Sequence, residues 1–260
     1  MNPKSIEEAV ATLAATRRDG RVIEALPESA RPQSIEEGYA IQDAFRAAWP
    51  DNVKGWKIGA TAPPTMDRFG VKEPMYGPFF ARDVHQSPAH VPAPTSHAMA
   101  IESEFAYRLG RDLPARTAPY ARDEILDAID AIIPAFEIVG TRFAAVPFHD
   151  VGSVVADCTL NAAMVLGTPI TDWRGLDIPN HPVSLTIDGA PAGKGSGADP
   201  LGDPRIVLDW VVNKLSATGI DLKKGDILST GTCTGMLPFK TGQTAVADFG
   251  ALGKIEVRFS

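Results

Sequence analysis

The sequence predicts an α+β fold with a mainly β core and a helical segment at its N-terminal end. Three observations support this. Two capping-box patterns open helices within residues 1–50. From Lys54 onward, short apolar or alternating runs are separated by Gly- and Pro-rich turns. One well-signalled helix, opened by Asp203-Pro204, interrupts that β-rich stretch. The expected division is a helical cap over 1–50 and a β-rich domain over 51–260.

Ser5-Ile6-Glu7-Glu8 puts Ser at an N-cap with Glu three residues on, and Ile6, Val10 and Leu13 follow at helical spacing. Arg17-Arg18-Asp19-Gly20 closes that helix with basic residues in its last turn and Gly just beyond. Ser34-Ile35-Glu36-Glu37 opens a second helix through Tyr39, Ile41 and Phe45, which Pro50 stops. Gly55-Trp56-Lys57-Ile58-Gly59 predicts a short strand with Lys57 on the face opposite Trp56 and Ile58. A lysine so placed either guards a sheet edge or points into a site. Ala62-Pro63-Pro64 reads as a chain break, and 70–80 as loop. His85, His90 and His97 lie in a proline-rich connection with no H-x-x-H or H-E-x-x-H spacing, which predicts surface-loop histidines.

Asp123 caps a helix through Ile125, Leu126 and Ile129, and Val154 to Asp157 is a short apolar segment before the apolar run 162–166. Val183 to Ile187 followed by Asp188-Gly189 predicts a hairpin. The glycines at 193, 195, 197 and 202 lack phosphate-loop spacing and Rossmann flanks, which argues against a nucleotide loop. Val207, Leu208, Val211 and Leu215 form the apolar face of the helix begun at Asp203, and Gly219 stops it. Strands then run from Asp226 to Thr230 and, after the loop 231–235, to Phe259.

With 260 residues, 44% of them hydrophobic and 22% charged, the chain can bury a sizeable core. A net charge of -7 argues against nucleic acid or an anionic membrane as partner, though a local cation can still recruit a small anion. The start of the chain has no apolar signal core, and there is no run of 18 apolar residues. Cys158 and Cys233 form neither a disulfide framework nor a C-x-x-C pair. The expectation is a cytoplasmic protein.

The functional signal is a set of three acids. In the alternating run 100–107, Ile101, Ser103, Phe105 and Tyr107 share one strand face, and Ala100, Glu102, Glu104 and Ala106 the other. Positions i and i+2 lie about 6.6 Å apart on a strand, so the two carboxylates repel each other unless a positive charge sits between them. Glu137 is a third acid, inside the apolar run 132–139, where an unpaired charge is hard to place. Three oxygen ligands suit a hard divalent cation. A solvated outer strand face explains the Glu102/Glu104 pair equally simply.

Taken in order, Gly55-Trp56-Lys57-Ile58-Gly59, Glu102-x-Glu104, Pro134-Ala135-Phe136-Glu137-Ile138, Val155-Ala156-Asp157 and Gly225-Asp226-Ile227-Leu228-Ser229-Thr230-Gly231-Thr232 resemble the fumarylacetoacetate hydrolase superfamily, in particular its branch of 2-keto-4-pentenoate hydratases and 4-oxalocrotonate decarboxylases. The resemblance extends over nearly the whole chain. It implies a β-rich roll with an N-terminal helical segment, a homo-oligomer, and Mg²⁺ or Mn²⁺ held by Glu102, Glu104 and Glu137, with Lys57 facing the site. It further implies a metal-dependent lyase acting on a small 2-oxo or 2-hydroxydienoate acid in aromatic meta-cleavage catabolism. Hydration of a 2-hydroxy-2,4-dienoate is the expected reaction, and decarboxylation of a 2-oxo-3-enedioate the alternative. No histidine has Glu three residues later, which counts against the C–C hydrolases of the superfamily.

Thr230 and Thr232, with N–H groups of the 231–235 loop, are expected to hold the substrate carboxylate; a strand end and tight turn is the other explanation. Met75 falls in the substrate site, where related hydratases often carry an acid. Asp157 either orients water or caps its turn.

Overall fold

The computed structural model describes residues 1–92 and 100–260; His97 lies outside them. In chain order the elements are α1 (Pro3–Asp19), α2 (Ile35–Ala48), β1 (Val53–Gly59), α3 (Pro63–Phe69), β2 (Met75–Phe80), β3 (Val84–Gln86), β4 (Ala89–Val91), β5 (Ala100–Leu109), α4 (Arg122–Ala128) and β6 (Ile129–Val139). They continue with α5 (Val151–Ala156), β7 (Asn161–Leu166), β8 (Pro182–Ile187), β9 (Ala190–Ser196), α6 (Pro204–Ala217), β10 (Ile227–Thr232), β11 (Leu237–Pro238), β12 (Thr244–Asp248) and β13 (Lys254–Phe259).

Two sheets form the β core of this α+β fold. The larger runs β2-β1-β10-β5-β6-β7-β3, with β11 added to β5; the smaller runs β4-β13-β12-β8-β9. Ile101, Phe105 and Tyr107 turn into the main hydrophobic core, where Phe105 meets Phe249 with ring centroids 5.2 Å apart. The opposite face of β5 is thereby left to the acids. Helix α6 closes the core with Val207, Leu208, Val211 and Leu215, all fully buried. Asp203 caps it by accepting from the Arg205 N–H, and Asp188 and Gly189 take positive φ in the predicted β8–β9 hairpin. Among the described residues, no helix is long and apolar enough to cross a membrane.

Helices α1 and α2 pack together through Ala9, Leu13, Ile41 and Phe45, and share that cluster with Phe80 and Phe143. Ser34 caps α2 as expected, accepting from the Glu37 N–H. The cap of α1 is Asn2 instead of Ser5: Asn2 Oδ1 accepts from the Ser5 N–H at 2.9 Å, and Pro3 occupies the first turn, where no N–H is needed. Gly20 ends α1 in the left-handed region, as predicted.

Two stretches differ from their sequence reading, and a third gives an unassigned apolar segment its structure. Pro63 and Pro64 begin α3 instead of breaking the chain, because the first helical positions tolerate proline. Residues 75–80 form a fully buried strand; Gly77 and Pro78 disguise it, and Pro78 is tolerated because β2 is the last strand of its sheet. Residues 151–156 are a short helix capped by Asp150, which accepts from the Ser153 N–H. Two boundaries also move: α4 begins after Ala121, with Asp123 in its first turn, and Ile129 belongs to β6. His85 and His90 sit on the short strands β3 and β4.

Candidate active site

The register of β5 on β6 sets Glu102 directly opposite Glu137. Glu104, two residues along β5, falls on the same face, and one carboxylate oxygen from each of the three lies within 4.8 Å of the others. Glu104 and Glu137 are fully buried, whereas Glu102 keeps some exposure and opens onto a cavity. This is no solvated outer face.

Lys57 completes the group. Strand β1 lies between β2 and β10, so its lysine guards no edge. The Lys57 side chain is buried and its Nζ reaches Glu137 Oε1 at 3.0 Å and the Thr159 carbonyl at 3.0 Å. Burial alone lowers an ammonium's pKa, but Glu137, Glu102 and Glu104 outweigh it and hold Lys57 above its ordinary value.

The protein uses only part of each buried carboxylate. Glu137 Oε1 takes Lys57 and the Asn161 side-chain amide at 3.2 Å, while Oε2 has no partner. Glu104 Oε2 accepts from the Ser229 hydroxyl and from the Gly231 N–H at 3.0 Å, while Oε1 has no partner. A buried carboxylate oxygen without a donor is unfavourable, and two of them in one triad mark a place for a cation. Burial, then Glu137, pushes Glu102 up to about 7. Burial, then Glu137 and Glu102, raises Glu104 well above the carboxylate range, and burial raises Glu137 despite Lys57. Three carboxylates this close repel one another with one lysine between them, and an all-oxygen donor set of this kind fits a hard divalent ion.

The cavity above the triad has a volume of about 470 Å³. Met75, Val139, Val154 and Leu160 give it apolar walls, and Lys57, Glu102 and Thr232 its polar end. At another part of its lining, Arg68 stacks on Phe148, 3.7 Å from the ring centroid. Arg68 has no acidic partner among the described residues.

Met75 and Thr232 therefore line the cavity, but Thr230 and Asp157 do not. The Thr230 hydroxyl points away and donates to the Phe105 carbonyl. Asp157 is held by Arg142 and Thr141: it accepts from Arg142 N at 2.9 Å, Arg142 Nε at 2.5 Å and Thr141 Oγ1 at 3.1 Å. Both its oxygens are engaged, which favours the turn-capping reading of Asp157 over the water-orienting one. The 231–235 loop also offers fewer donors than expected, because the N–H groups of Gly231, Cys233 and Thr234 serve Glu104, Ser103 and Thr232. Gly231 has φ +95°, and a Cβ there would fall 2.1 Å from Thr61 Oγ1, so only glycine brings this N–H to Glu104.

Sequence reasoning missed the turn joining α5 to β7. Cys158, Thr159 and Leu160 have φ of 53°, 51° and 66°. Left-handed conformations at non-glycine residues cost on the order of 1–3 kcal/mol each and persist where surrounding structure enforces them. The turn delivers the Thr159 carbonyl to Lys57 and Leu160 to the cavity wall. Gly77 lets β2 approach it closely, since a Cβ there would lie 2.3 Å from the Cys158 carbonyl oxygen. No glycine within the turn signals its backbone shape. Asn161 and Arg142 likewise carried no motif of their own, and Ser229 lies in a quoted motif that says nothing of its bond to Glu104.

The fumarylacetoacetate hydrolase C-terminal family model matches residues 49–260. A 2-keto-4-pentenoate hydratase of Paraburkholderia xenovorans is 31% identical over 264 residues, covering 100% of this chain and 96% of the relative. A 2-hydroxyhexa-2,4-dienoate hydratase of Comamonas testosteroni is 27% identical, with 94% of this chain and 93% of the relative covered. Among solved structures, 4-oxalocrotonate decarboxylase of Pseudomonas putida, complexed with magnesium and adipate, superposes with a TM-score of 0.90 at 21% identity, covering 100% of this chain and 99% of that one. Similarity that runs end to end in sequence and in fold leaves one assignment: the chain belongs to the fumarylacetoacetate hydrolase family.

Proposed function

We propose that the protein is a divalent-metal-dependent hydratase that adds water to a 2-hydroxy-2,4-dienoate and yields a 4-hydroxy-2-oxo acid. The observation that carries this reading is the pair of unpartnered buried oxygens, Glu104 Oε1 and Glu137 Oε2, in a triad whose third acid opens on the cavity. Glu102, Glu104 and Glu137 would hold Mg²⁺ or Mn²⁺. When bound, such an ion supplies Lewis-acid stabilisation of negative charge on a substrate's carboxylate and C2 oxygens. The hydratases that align along 94–100% of this chain support hydration as the reaction.

The chain's own residues then have distinct tasks. Lys57, kept protonated by the acids around it, donates a hydrogen bond toward the C2 oxygen as that oxygen gains charge. The Thr232 hydroxyl accepts from the Thr234 N–H and keeps its own hydrogen for the substrate carboxylate. Met75, Val154 and Leu160 enclose the carbon chain and exclude bulk water. In the overall reaction the 2-hydroxyl loses a proton and C5 gains one. Water then adds its oxygen at C4 and a hydrogen at C3. Met75 offers neither proton nor acceptor, so Lys57, as an ammonium, is the group assigned to give a proton to C5, and the proton lost by the 2-hydroxyl restores it.

The test incubates purified protein and Mg²⁺ with 2-hydroxypenta-2,4-dienoate, following the dienoate absorbance and CO₂ separately. Loss of absorbance without CO₂, giving 4-hydroxy-2-oxopentanoate and blocked by chelator, is expected. A second reading, decarboxylation of a 2-oxo-3-enedioate, is favoured by one observation: Arg68 lines the cavity without a salt-bridge partner among the described residues, suited to a distal carboxylate. CO₂ release from the enedioate with no turnover of the dienoate would overturn hydration. In that case Arg68→Ala should lower kcat/KM for the enedioate by about tenfold, the worth of one charge-assisted hydrogen bond.

A further inference from the structure

Behind the triad, on the side away from the cavity, lies a second layer of polar contacts centred on Asn161. Its side-chain Nδ2 donates to Glu137 Oε1 at 3.2 Å and lies 3.6 Å from Met164 Sδ. Its backbone carbonyl accepts from two guanidinium groups, Arg142 Nη1 at 3.0 Å and Arg17 Nη2 at 2.8 Å. Arg142 is itself fixed at the head of the left-handed turn, since its Nε donates to Asp157 Oδ1 and its Nη2 to the Asp157 carbonyl at 2.9 Å. At the tail of the turn the Leu160 carbonyl accepts from the Gly140 N–H at 2.8 Å, next to the register shift between Ile138 and Val139 that sets Val139 opposite Asn161. In the middle the Thr159 hydroxyl donates to the Tyr76 carbonyl at 2.6 Å. Arg142 therefore spans both ends of a strained turn, and Asn161 is the first residue beyond it.

We propose that Asn161 is a positioning residue for Glu137, and that Arg142, with Arg17, positions Asn161. Neither Asn161 nor Arg142 nor Arg17 lines the substrate cavity, so none of them touches substrate. The effect passes through one oxygen. With Lys57 and Asn161 both bound to Glu137 Oε1, the carboxylate plane is set and Oε2 is the oxygen left facing the other acids. Without the amide, Lys57 alone holds Oε1, and a single contact does not fix rotation of the carboxylate. Partners of metal-ligating carboxylates act in this way, and their loss commonly lowers metal affinity ten- to a hundred-fold.

The inference rests on the metal-binding role proposed above for Glu137, and its test separates the two. Mg²⁺ and Mn²⁺ binding to the full chain is measured by titration calorimetry for the native protein, Asn161→Ala and Arg142→Lys, alongside melting temperature and kcat at saturating metal. Asn161→Ala should bind either ion about ten-fold or more weakly while keeping a cooperative melt. Arg142→Lys keeps a cation beside Asp157 but removes the fork that reaches Asn161, and should weaken binding in the same direction. It decides the matter if Asn161→Ala does not fold. Unchanged metal affinity in whichever variant folds would reduce Asn161 to a packing residue and overturn the proposal. Absence of divalent binding by the native chain would overturn the metal role of Glu137 and this proposal together.

Discussion

The metal-free protein should lose stability as pH rises from 5 to 8, and a saturating divalent ion should abolish that loss. A carboxyl whose pKa is higher folded than unfolded binds more protons in the folded state. Its contribution therefore favours folding at low pH and disappears as pH rises from the unfolded to the folded value. For Glu102 that window runs from 4.5 to about 7, with burial and then Glu137 as the causes. A displacement of this size corresponds to about 3 kcal/mol, or roughly 6–12 °C in melting temperature for a chain of this length. Glu104 and Glu137 are raised in the same direction and add to the slope.

Lys57 does not offset this loss. Its raised pKa gives stability that is fully present below the ordinary lysine value of 10.5 and is lost only above it, outside the window. The assay is calorimetric melting from pH 5 to pH 8, in chelator and in excess Mg²⁺. Asp43, Asp83 and Asp226 are also raised by burial, so Glu102→Gln in chelator is the control that isolates the site. That variant should flatten the profile. A native profile in chelator as flat as that of Glu102→Gln would refute the reasoning, because the triad would then not be an electrostatic liability awaiting a cation.

Two further outcomes follow from the same contacts. Lys57→Met should lower kcat by about 10²–10⁴, the usual worth of a positioned acid or base, with Mg²⁺ still bound in calorimetry; an unchanged kcat in a folded variant would leave Lys57 a purely structural partner of Glu137 and Thr159. Asp157→Asn should destabilise the fold by about 3–5 kcal/mol, because it leaves the buried Arg142 without its counter-charge; a denaturant midpoint within error of the native one would contradict the anchoring role given to it here.

The parts of the fold and site that were legible in the sequence depend on local pattern. The strict alternation of 100–107 fixed which face of β5 carries Glu102 and Glu104, because side chains alternate across a strand whatever the partner. Ser34 and Asp203-Pro204 announced their helices because capping is settled within four residues. What stayed hidden depends on partners far away in sequence. Whether Lys57 guards an edge or enters a site is decided by β10, about 170 residues later, lying beside β1 in the sheet. Asp157 resembled a site residue because it sits in an ordered motif with a charge, and only Arg142, folded back over it, shows that the charge serves the turn.

The same distinction explains why the hidden part gathers behind the acid triad. Alternation can bring two acids of one strand to one face, but aligning a third acid from β6 and a lysine from β1 requires register and depth that no local pattern encodes. Here the pairing of β5 with β6 supplies the register, and the left-handed turn at 158–160 fixes the ends of the side chains. Its carbonyl at Thr159 anchors Lys57, and the residue that follows it holds Glu137. Three non-glycine residues with positive φ are unfavourable in isolation, so the turn exists only because Arg142, Asp157, Gly140 and Tyr76 hold it from four sides. The backbone that anchors Lys57 and leads into Asn161 is thus a stretch where local propensity disagrees with the fold, and the contacts that overrule it come from residues outside the cavity lining.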